Sequence, residues 1–400
     1  MSIRKLVPTP LLRAYHFSLA VIAKWWFRNP SKRLVVVGVT GTHGKSSVVM
    51  LLGHVLHETG YRAGWISTAT MCDGKRTWLN DLKMTMPGRF QLQRFLRTLV
   101  ANGCTHAIVE TSSEGIAQHR HRGIDYDVAV LLNLAPEHIE SHGGFERYRA
   151  AKARLFAHTA RGSKAKRFAI LPADLKYSSE FSGYPFTDIR KFDAADVRAV
   201  RLPAPIAAFP ENAAAVMAVC AILGIPEDRV VAALETTAPL PGRMERIEAG
   251  QPFEVIVDYA HTPHALEAVY RSLAVPSGKT VHVLGGVGGG RDKWKQPEMG
   301  RAAAQHAEVV IVTNEDPYDD DPMQIIRAVA DGARGRGSAE VEEILDRREA
   351  IARSLSLAKE GDRIIVSGKG CEQAICGPHG SKTPWDDRKV IREILKQQQK

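Results

Sequence analysis

No part of this chain is apolar and uncharged for long enough to span a bilayer: the best run, residues 11–27, is broken by Arg13 and Lys24. No small-residue cleavage site follows it, which argues against a secretory leader. Cysteine is scarce, and Cys72, Cys104, Cys220, Cys371 and Cys376 show no paired spacing. That excludes a disulfide framework and fits a reducing compartment. Cys371 and Cys376 lack the second pair that a zinc site needs. Acid is missing from residues 1–33, although the chain's net charge of +10 draws seven basic residues from them: Arg4, Lys5, Arg13, Lys24, Arg28, Lys32 and Arg33. Elsewhere no basic cluster carries stacking aromatics, so the charge does not imply nucleic acid. Internal repeats and low-complexity stretches are absent too. An apolar content of 44% and a charged content of 24% are those of an ordinary globular protein.

What is present is first of all the stretch Leu34 to Ser47. A β-branched apolar run leads into Thr40-Gly41-Thr42-His43-Gly44-Lys45-Ser46-Ser47, and a helical pattern, Val48 to Glu58, follows. Glycines let a backbone approach phosphate closely, loop N–H groups converge on the anion, and the helix N-terminus adds a favourable dipole. Lys45 would reach the terminal phosphates and the Ser46 hydroxyl would hold Mg²⁺. The usual spacing places a glycine where Val39 stands, so Thr-Gly-Thr-x-Gly-Lys-Ser is the more telling pattern. The expectation is a nucleoside triphosphate site.

Beyond it the chain alternates. Strands are expected at Leu34–Val39, Ala107–Glu110, Val128–Asn133 and Phe168–Leu171, with helices at Val48–Glu58, Phe90–Asn102, Phe145–Thr159 and Asn212–Leu223. This pattern predicts an α/β fold with a mostly parallel sheet covered on both faces. Pro239-Leu240-Pro241-Gly242-Arg243 reads as a hinge. After it the alternation restarts, with strands near Phe253–Val257, Thr280–Leu284, Glu308–Val312 and Arg363–Val366. Three parts result: residues 1–32, a phosphate-binding domain over 33–240, and a Rossmann-like α/β domain over 241–400. Residues 1–32 have the basic, aromatic, amphipathic character of a helix lying on a membrane surface. The alternative is a helix packed on the globular body with its basic side in solvent.

Several polar groups fall where a nucleotide-dependent enzyme needs them. Glu110 ends an apolar strand, and the carboxyl ends of parallel strands form the ligand crevice of α/β folds. His138, in the loop after Asn133, is a candidate metal ligand. Together with Gln118-His119-Arg120, Tyr148 to Lys152, Gly242-Arg243-Met244-Glu245, Asp258-Tyr259-Ala260-His261-Thr262-Pro263, Arg291-Asp292-Lys293 and Gly368-Lys369-Gly370-x-Glu372, these segments resemble the Mur ligase family over residues 33–395. That family comprises the ATP-dependent amide ligases of peptidoglycan precursor synthesis. Gln-His-Arg, Asp-Tyr-Ala-His-Thr-Pro and Gly-Lys-Gly-x-Glu point within it to the MurE type, which adds the third residue of the stem peptide.

The resemblance implies a chemistry. ATP phosphorylates a carboxylate, and an incoming amine displaces phosphate from the acyl phosphate. Cations must be held around the phosphoryl oxygens. Lys45 would supply one, and Mg²⁺ on Ser46 and Glu110 another. His138 matches the ligand of a second Mg²⁺, and Lys152 matches a lysine that the family carbamylates to support it. Gly41, Thr42, Gly44, Ser47, Asn212, Arg243, Asp258 and His261 match ATP contacts, and His43 stands at another such position. Thr85, Ser112, Gln118 and Arg120 match residues that hold the muramoyl-peptide donor. Glu315, Asp316, Tyr318 and Glu372 stand at the positions of the acceptor side. A monomer is expected, on the cytoplasmic side and peripheral at the inner face of the membrane.

Three departures qualify the match. The family's N-terminal domain, which grips the UDP end of the donor, has no counterpart in residues 1–33, so a lipid-linked donor is an open alternative. Diaminopimelate enzymes carry Asp-Asn-Pro-Arg where Glu315-Asp316-Pro317-Tyr318 stands, and tyrosine cannot make the arginine's bidentate pair with a carboxylate. The neighbouring acids, through Asp321, suit an acceptor with a second ammonium; alternatively Asp321-Pro322 is only a helix start. Thirdly, His43, Glu114 and Cys371 replace the family's usual residues. Rival readings are the same mechanism on folylpolyglutamate or a cyanophycin-like polymer, or a quiet relic that binds ATP or muropeptides.

Overall fold

The structure is a computed structural model that describes residues 9–137, 139–335 and 338–398. The chain divides into two compact units. The first runs through Ile206 and includes Pro210–Thr237; the second comprises Ala207–Phe209 and the chain from Ala238 onward.

The first unit opens with helix α1 (Thr9–Trp26) and then builds an eight-stranded sheet. Its strands are β1 (Val35–Thr40), β2 (Ala63–Ile66), β3 (Thr70–Cys72), β4 (Thr77–Leu79), β5 (His106–Glu110), β6 (Val128–Leu131), β7 (Phe168–Pro172) and β8 (Asp188–Phe192). The order is β4-β3-β2-β5-β1-β6-β7-β8, parallel throughout except for the β2–β3 and β3–β4 pairs. Helices α2 (Lys45–Glu58), α3 (Arg89–Ala101) and α4 (Ser113–Ala117) follow β1, β4 and β5. Separate apolar clusters cover the two faces of the sheet, around Val37, Val39 and Leu52 on one side and Val36, Leu92 and Phe156 on the other. Strands buried on both faces read as continuous apolar runs, which is why β1 and β6 stand out in the sequence.

Chain order reverses beside β1, with β5 on one flank and β6 on the other. Such a switch point opens a crevice at the carboxyl ends of the strands. The second unit repeats the plan with a six-stranded sheet of β9 (Glu245–Arg246), β10 (Glu254–Val257), β11 (Thr280–Val287), β12 (Val309–Asp316), β13 (Glu340–Ile344) and β14 (Arg363–Val366). Its order is β13-β12-β11-β14-β10-β9, with only β9 antiparallel. A small ribbon, β15 (Ala374–Cys376) with β16 (Lys382–Pro384), lies beside it in sequence. All five cysteines are buried and free. Among the described residues no helix is long and apolar enough to cross a membrane.

Candidate active site

At the carboxyl end of β1, residues 41–44 turn the chain into α2. The turn closes on Gly44, whose φ of 78° lies in the left-handed region. A Cβ there would lie 2.3 Å from Asn212 Oδ1, so Asn212, in the first turn of the helix Pro210–Ile222, sits directly against the loop. Asn133 staples the loop from the other side. Its Oδ1 accepts the N–H groups of Thr42 at 3.0 Å and His43 at 2.9 Å, and its Nδ2 donates to the His43 carbonyl at 3.2 Å. The strand expected to run through Asn133 ends at Leu131, and Asn133 serves the loop instead of the ladder. The Thr42 and Tyr148 hydroxyls are 3.1 Å apart, and Thr42 Oγ1 accepts from the Ala135 N–H at 3.0 Å.

Lys45 Nζ folds back onto the carbonyls of Gly41 and Thr42, at 3.1 and 2.7 Å. Ser46 Oγ donates to Glu110 Oε2 at 2.7 Å, and Ser47 follows it in the first turn of α2. Glu110 reaches Ser46 because β5 pairs with β1 in a register that sets it opposite Val39. The same carboxylate accepts from the Thr68 N–H at 2.7 Å and the Thr68 hydroxyl at 3.0 Å, and that hydroxyl meets the Thr85 hydroxyl at 2.8 Å. Lys152, on the helix Phe145–Ala160, is 1% exposed and donates to the Gly41 carbonyl at 2.6 Å. Its ammonium also sits 4.4 Å from the centre of the Tyr148 ring. Burial first, and the charge of Lys45 second, push the Lys152 pKa well below the usual lysine value, against the pull of Glu137 and Glu110.

Two lysines, a serine hydroxyl and a carboxylate thus converge on one phosphate-type loop. His138, the remaining candidate ligand, lies outside the described residues. The hydroxyl and carboxylate oxygens of Ser46 and Glu110, with Thr68 and Thr85 beside them, suit a hard cation such as Mg²⁺. Among the described residues no three His, Cys, Asp or Glu side chains gather as a metal cage. Mg²⁺ needs none, because it binds through one or two carboxylates plus substrate phosphates.

The candidate donor residues form a second group. Ser112 Oγ caps α4 by accepting from the Gly115 N–H at 3.2 Å. Arg120 donates to Gln118 Oε1 at 2.8 Å and to the Met86 carbonyl, which ties the segment after α4 to the Thr85–Pro87 loop.

In the second unit, the Arg243 guanidinium lies 4.2 Å over the Tyr259 ring, and His261 Nδ1 is 2.8 Å from the Tyr259 carbonyl. Asp258 accepts the Met244 and Ala260 N–H groups at 2.8 and 2.7 Å; burial raises its pKa against the opposing charge of Arg243. Lys369 is fully buried between Asp316, at 2.8 Å, and Glu372, at 2.9 Å. Glu315 is buried beside them, and burial lifts its pKa to about 7 despite Arg347 and Lys369. Tyr318 has φ 52° and donates its N–H to the Cys376 carbonyl at 3.1 Å. The nearby acids serve the backbone: Asp319 accepts from His379, Asp320 from Gly289, and Asp321 caps the helix Pro322–Arg334 through Met323. For Asp321 the helix-start alternative is therefore what the structure holds.

Sequence reasoning assigned no role to Thr68, Asn133 or Lys369. Lys369 stands inside Gly368-Lys369-Gly370-x-Glu372, and Asn133 begins the loop that leads to His138. Thr68 carried no signal, because it reaches Glu110 only through the pairing of β2 with β5.

Residues 39–196 match the Mur ligase middle domain, and residues 242–370 match the Mur ligase, glutamate ligase domain. A UDP-N-acetylmuramoyl-L-alanyl-D-glutamate–2,6-diaminopimelate ligase of Halalkalibacterium halodurans is 34% identical over 98% of this chain and 84% of its own length. A UDP-N-acetylmuramyl-tripeptide synthetase of Roseiflexus sp. is 34% identical over 97% and 84%. Among solved structures, a diaminopimelate-adding ligase of the first kind superposes with a TM-score of 0.57 at 27% identity, covering 94% of this chain and 82% of the other. A folylpolyglutamate synthase of Mycobacterium tuberculosis gives 0.70 at 18% identity over 88% and 92%, which is likeness of fold alone. Both matched domains carry the clusters just described, and the chain belongs to the Mur ligase family of ATP-dependent amide ligases.

Proposed function

We propose that this ligase joins the amino group of an amino acid to the carboxylate of a muropeptide donor through an acyl phosphate. The convergence of Lys45, Ser46, Glu110 and Lys152 on the loop Gly41–Gly44 carries the reading. Mg²⁺ held by Ser46 and Glu110 would neutralise phosphate charge when bound. Lys45 would exchange its carbonyl partners for phosphoryl oxygens, so that charge developing in transfer meets a fixed cation. The depressed pKa of Lys152 favours its neutral amine, the form that reacts with CO₂, and so supports its carbamylation beside His138 and the metal. Asn212 against Gly44 supports an adenine-side role. Gln118, Arg120, Ser112 and Thr85 would hold the donor.

Residues 33–240 would be the ATP-binding domain and residues 241–400 the acceptor domain, in which Arg243, Asp258 and His261 are candidate nucleotide contacts. Tyr318 in place of an arginine favours an acceptor that needs no guanidinium clamp on a distal carboxylate, such as lysine or ornithine, near Glu315, Asp316 and Glu372. Residues 1–32 would associate with the cytoplasmic face of a membrane.

Phosphate release from ATP and Mg²⁺ tests the reading, with UDP-MurNAc-dipeptide as donor and a panel of amino acids. The expected result is acceptor-dependent release that Lys45→Ala lowers by about 10³-fold or more. Release without acceptor dependence, or undiminished in the variant, would overturn it.

A further inference from the structure

Helix α1 is turned inside out. Its buried positions are Ala20 and Ala23, while Leu11, Tyr15, Ile22, Trp25 and Trp26 are exposed, Trp25 at 81% and Trp26 at 74%. At 3.6 residues per turn these five side chains fall within an arc of about 100°, on the side away from the two alanines. A helix that merely packs on a globular body buries its large apolar residues and exposes small or polar ones. Here the small residues make the seat, and seven of the large apolar side chains exposed among the described residues belong to this one helix.

The seat itself is specific. Lys24 Nζ and Asn29 Nδ2 each donate at 2.8 Å to a different oxygen of Asp125, and the Asp125 N–H donates to Ser31 Oγ at 3.0 Å. A Cβ on Gly123 would lie 2.8 Å from Gln93 Nε2 and 3.0 Å from the Ala20 carbonyl, so the glycine eases this close approach. Phe17 meets His119 edge-on at 6.2 Å, and Phe27 meets Phe90 at 6.3 Å. Helix α1 therefore rests on α3 and on the segment from His119 to Asp125, which includes the candidate donor residue Arg120.

We propose that the outward face of α1 is an interfacial docking surface for an anionic lipid bilayer. Charge selects that occupant: residues 1–33 hold seven basic residues and no acid, and Arg28, Lys32 and Arg33 are exposed at the end of the helix. Adjacent exposed tryptophans are the side chains that settle at headgroup depth. The proposal deepens the membrane-surface reading above and rests on it. It names the lipid class and the five side chains, and it sets the donor-binding segment within about one helix diameter, ~10 Å, of the headgroups.

The test is vesicle co-sedimentation of the full chain and of Trp25→Ser/Trp26→Ser. Vesicles of phosphatidylglycerol and of phosphatidylcholine are compared, with thermal midpoint and solution turnover read on the same preparations. Expected is binding to phosphatidylglycerol, at least tenfold weaker partition to phosphatidylcholine, and at least a tenfold loss in the double variant with midpoint and turnover unchanged. Absence of binding by the parent chain overturns both the proposal and the membrane-surface reading. Equal binding by the variant overturns the proposal alone and leaves the basic residues as the attachment. A parent dimer that the variant converts to monomer, read by light scattering, also overturns it, because the face then belongs to a second copy. Turnover reports separately on the ligase reading.

Discussion

The phosphate loop of the first unit and the Gly368–Glu372 turn of the second both contain inward-pointing lysines, and they use them in opposite ways. Lys369 is clamped between two carboxylates, Asp316 and Glu372. Lys45 instead hydrogen-bonds to the main-chain carbonyls of Gly41 and Thr42. A cation held by two acids is electrostatically spent, and removing it strands buried negative charge. A cation resting on neutral carbonyls keeps its charge for an incoming anion. Position in a buried site does not separate a structural lysine from a functional one, but the partner does.

The sharpest way to break this contrast is to remove each cation. Lys45→Ala should lower ATP-dependent amide formation by about 10³-fold or more, while urea unfolding shifts by no more than about 1 kcal/mol. Lys369→Met should instead cost about 3–5 kcal/mol of stability, because Asp316 and Glu372 lose their counter-charge. A Lys369 variant as stable as the parent would sink the comparison. Asn133→Ala comes next: the His43 N–H loses the Oδ1 acceptor and the Thr42 N–H keeps only the Asn133 main-chain carbonyl, at a cost of about 1–3 kcal/mol. Hydrogen exchange should show it as lost protection at His43, with slower turnover.

The smallest effect per residue is in pH. In the first unit burial lowers the pKa of His106 from its ordinary 6.5 to about 4, and that of His121 and His158 below 6.5 as well. A histidine with a depressed folded pKa takes up protons first in the unfolded chain. Its contribution is intact above about pH 6.5 and is lost as pH falls below that value. In the second unit Glu315 is raised from 4.5 to about 7, so its contribution is intact below pH 4.5 and is lost as pH rises to 7. Between pH 7.5 and 5.5 the first unit should weaken by about 1 kcal/mol per buried histidine while Glu315 works the other way. Opposing that carboxyl within the second unit is His282, lowered by burial to about 3. Hydrogen exchange resolved by segment reads the difference, and His121→Asn should flatten the slope of the first unit by about 1 kcal/mol.

Much of the architecture was legible in the sequence. The apolar runs of β1, β5, β6 and β7 and the helices expected at Val48–Glu58, Phe90–Asn102, Phe145–Thr159 and Asn212–Leu223 lie within a few residues of their places, whereas α4 was not foreseen. Gly44 falls in the one backbone conformation that a loop-to-helix turn of this kind asks of a glycine. The extension β2-β3-β4 was not legible: strands of three or four residues carry no periodicity. With it Thr68 was missed, since its contact with Glu110 joins residues 42 apart in sequence.

By itself the sequence determined what local physics governs: where strands and helices form, where a glycine must take a positive φ, and which polar residues stand at the ends of strands. Tertiary structure alone decided what those residues meet. The hydrophobic pattern of α1 marks it as amphipathic, yet nothing local says which face turns inward. Ala20 and Ala23 win the inner side because Gly123 and Asp125, a hundred residues further along the chain, offer close approach and a paired charge. Likewise Lys369 becomes structural only where folding brings Asp316 within 2.8 Å of it, and Lys45 stays available because folding leaves it on carbonyls. Periodicity is a property of neighbouring residues in the chain, whereas the partner of a charge depends on contacts between residues far apart in it.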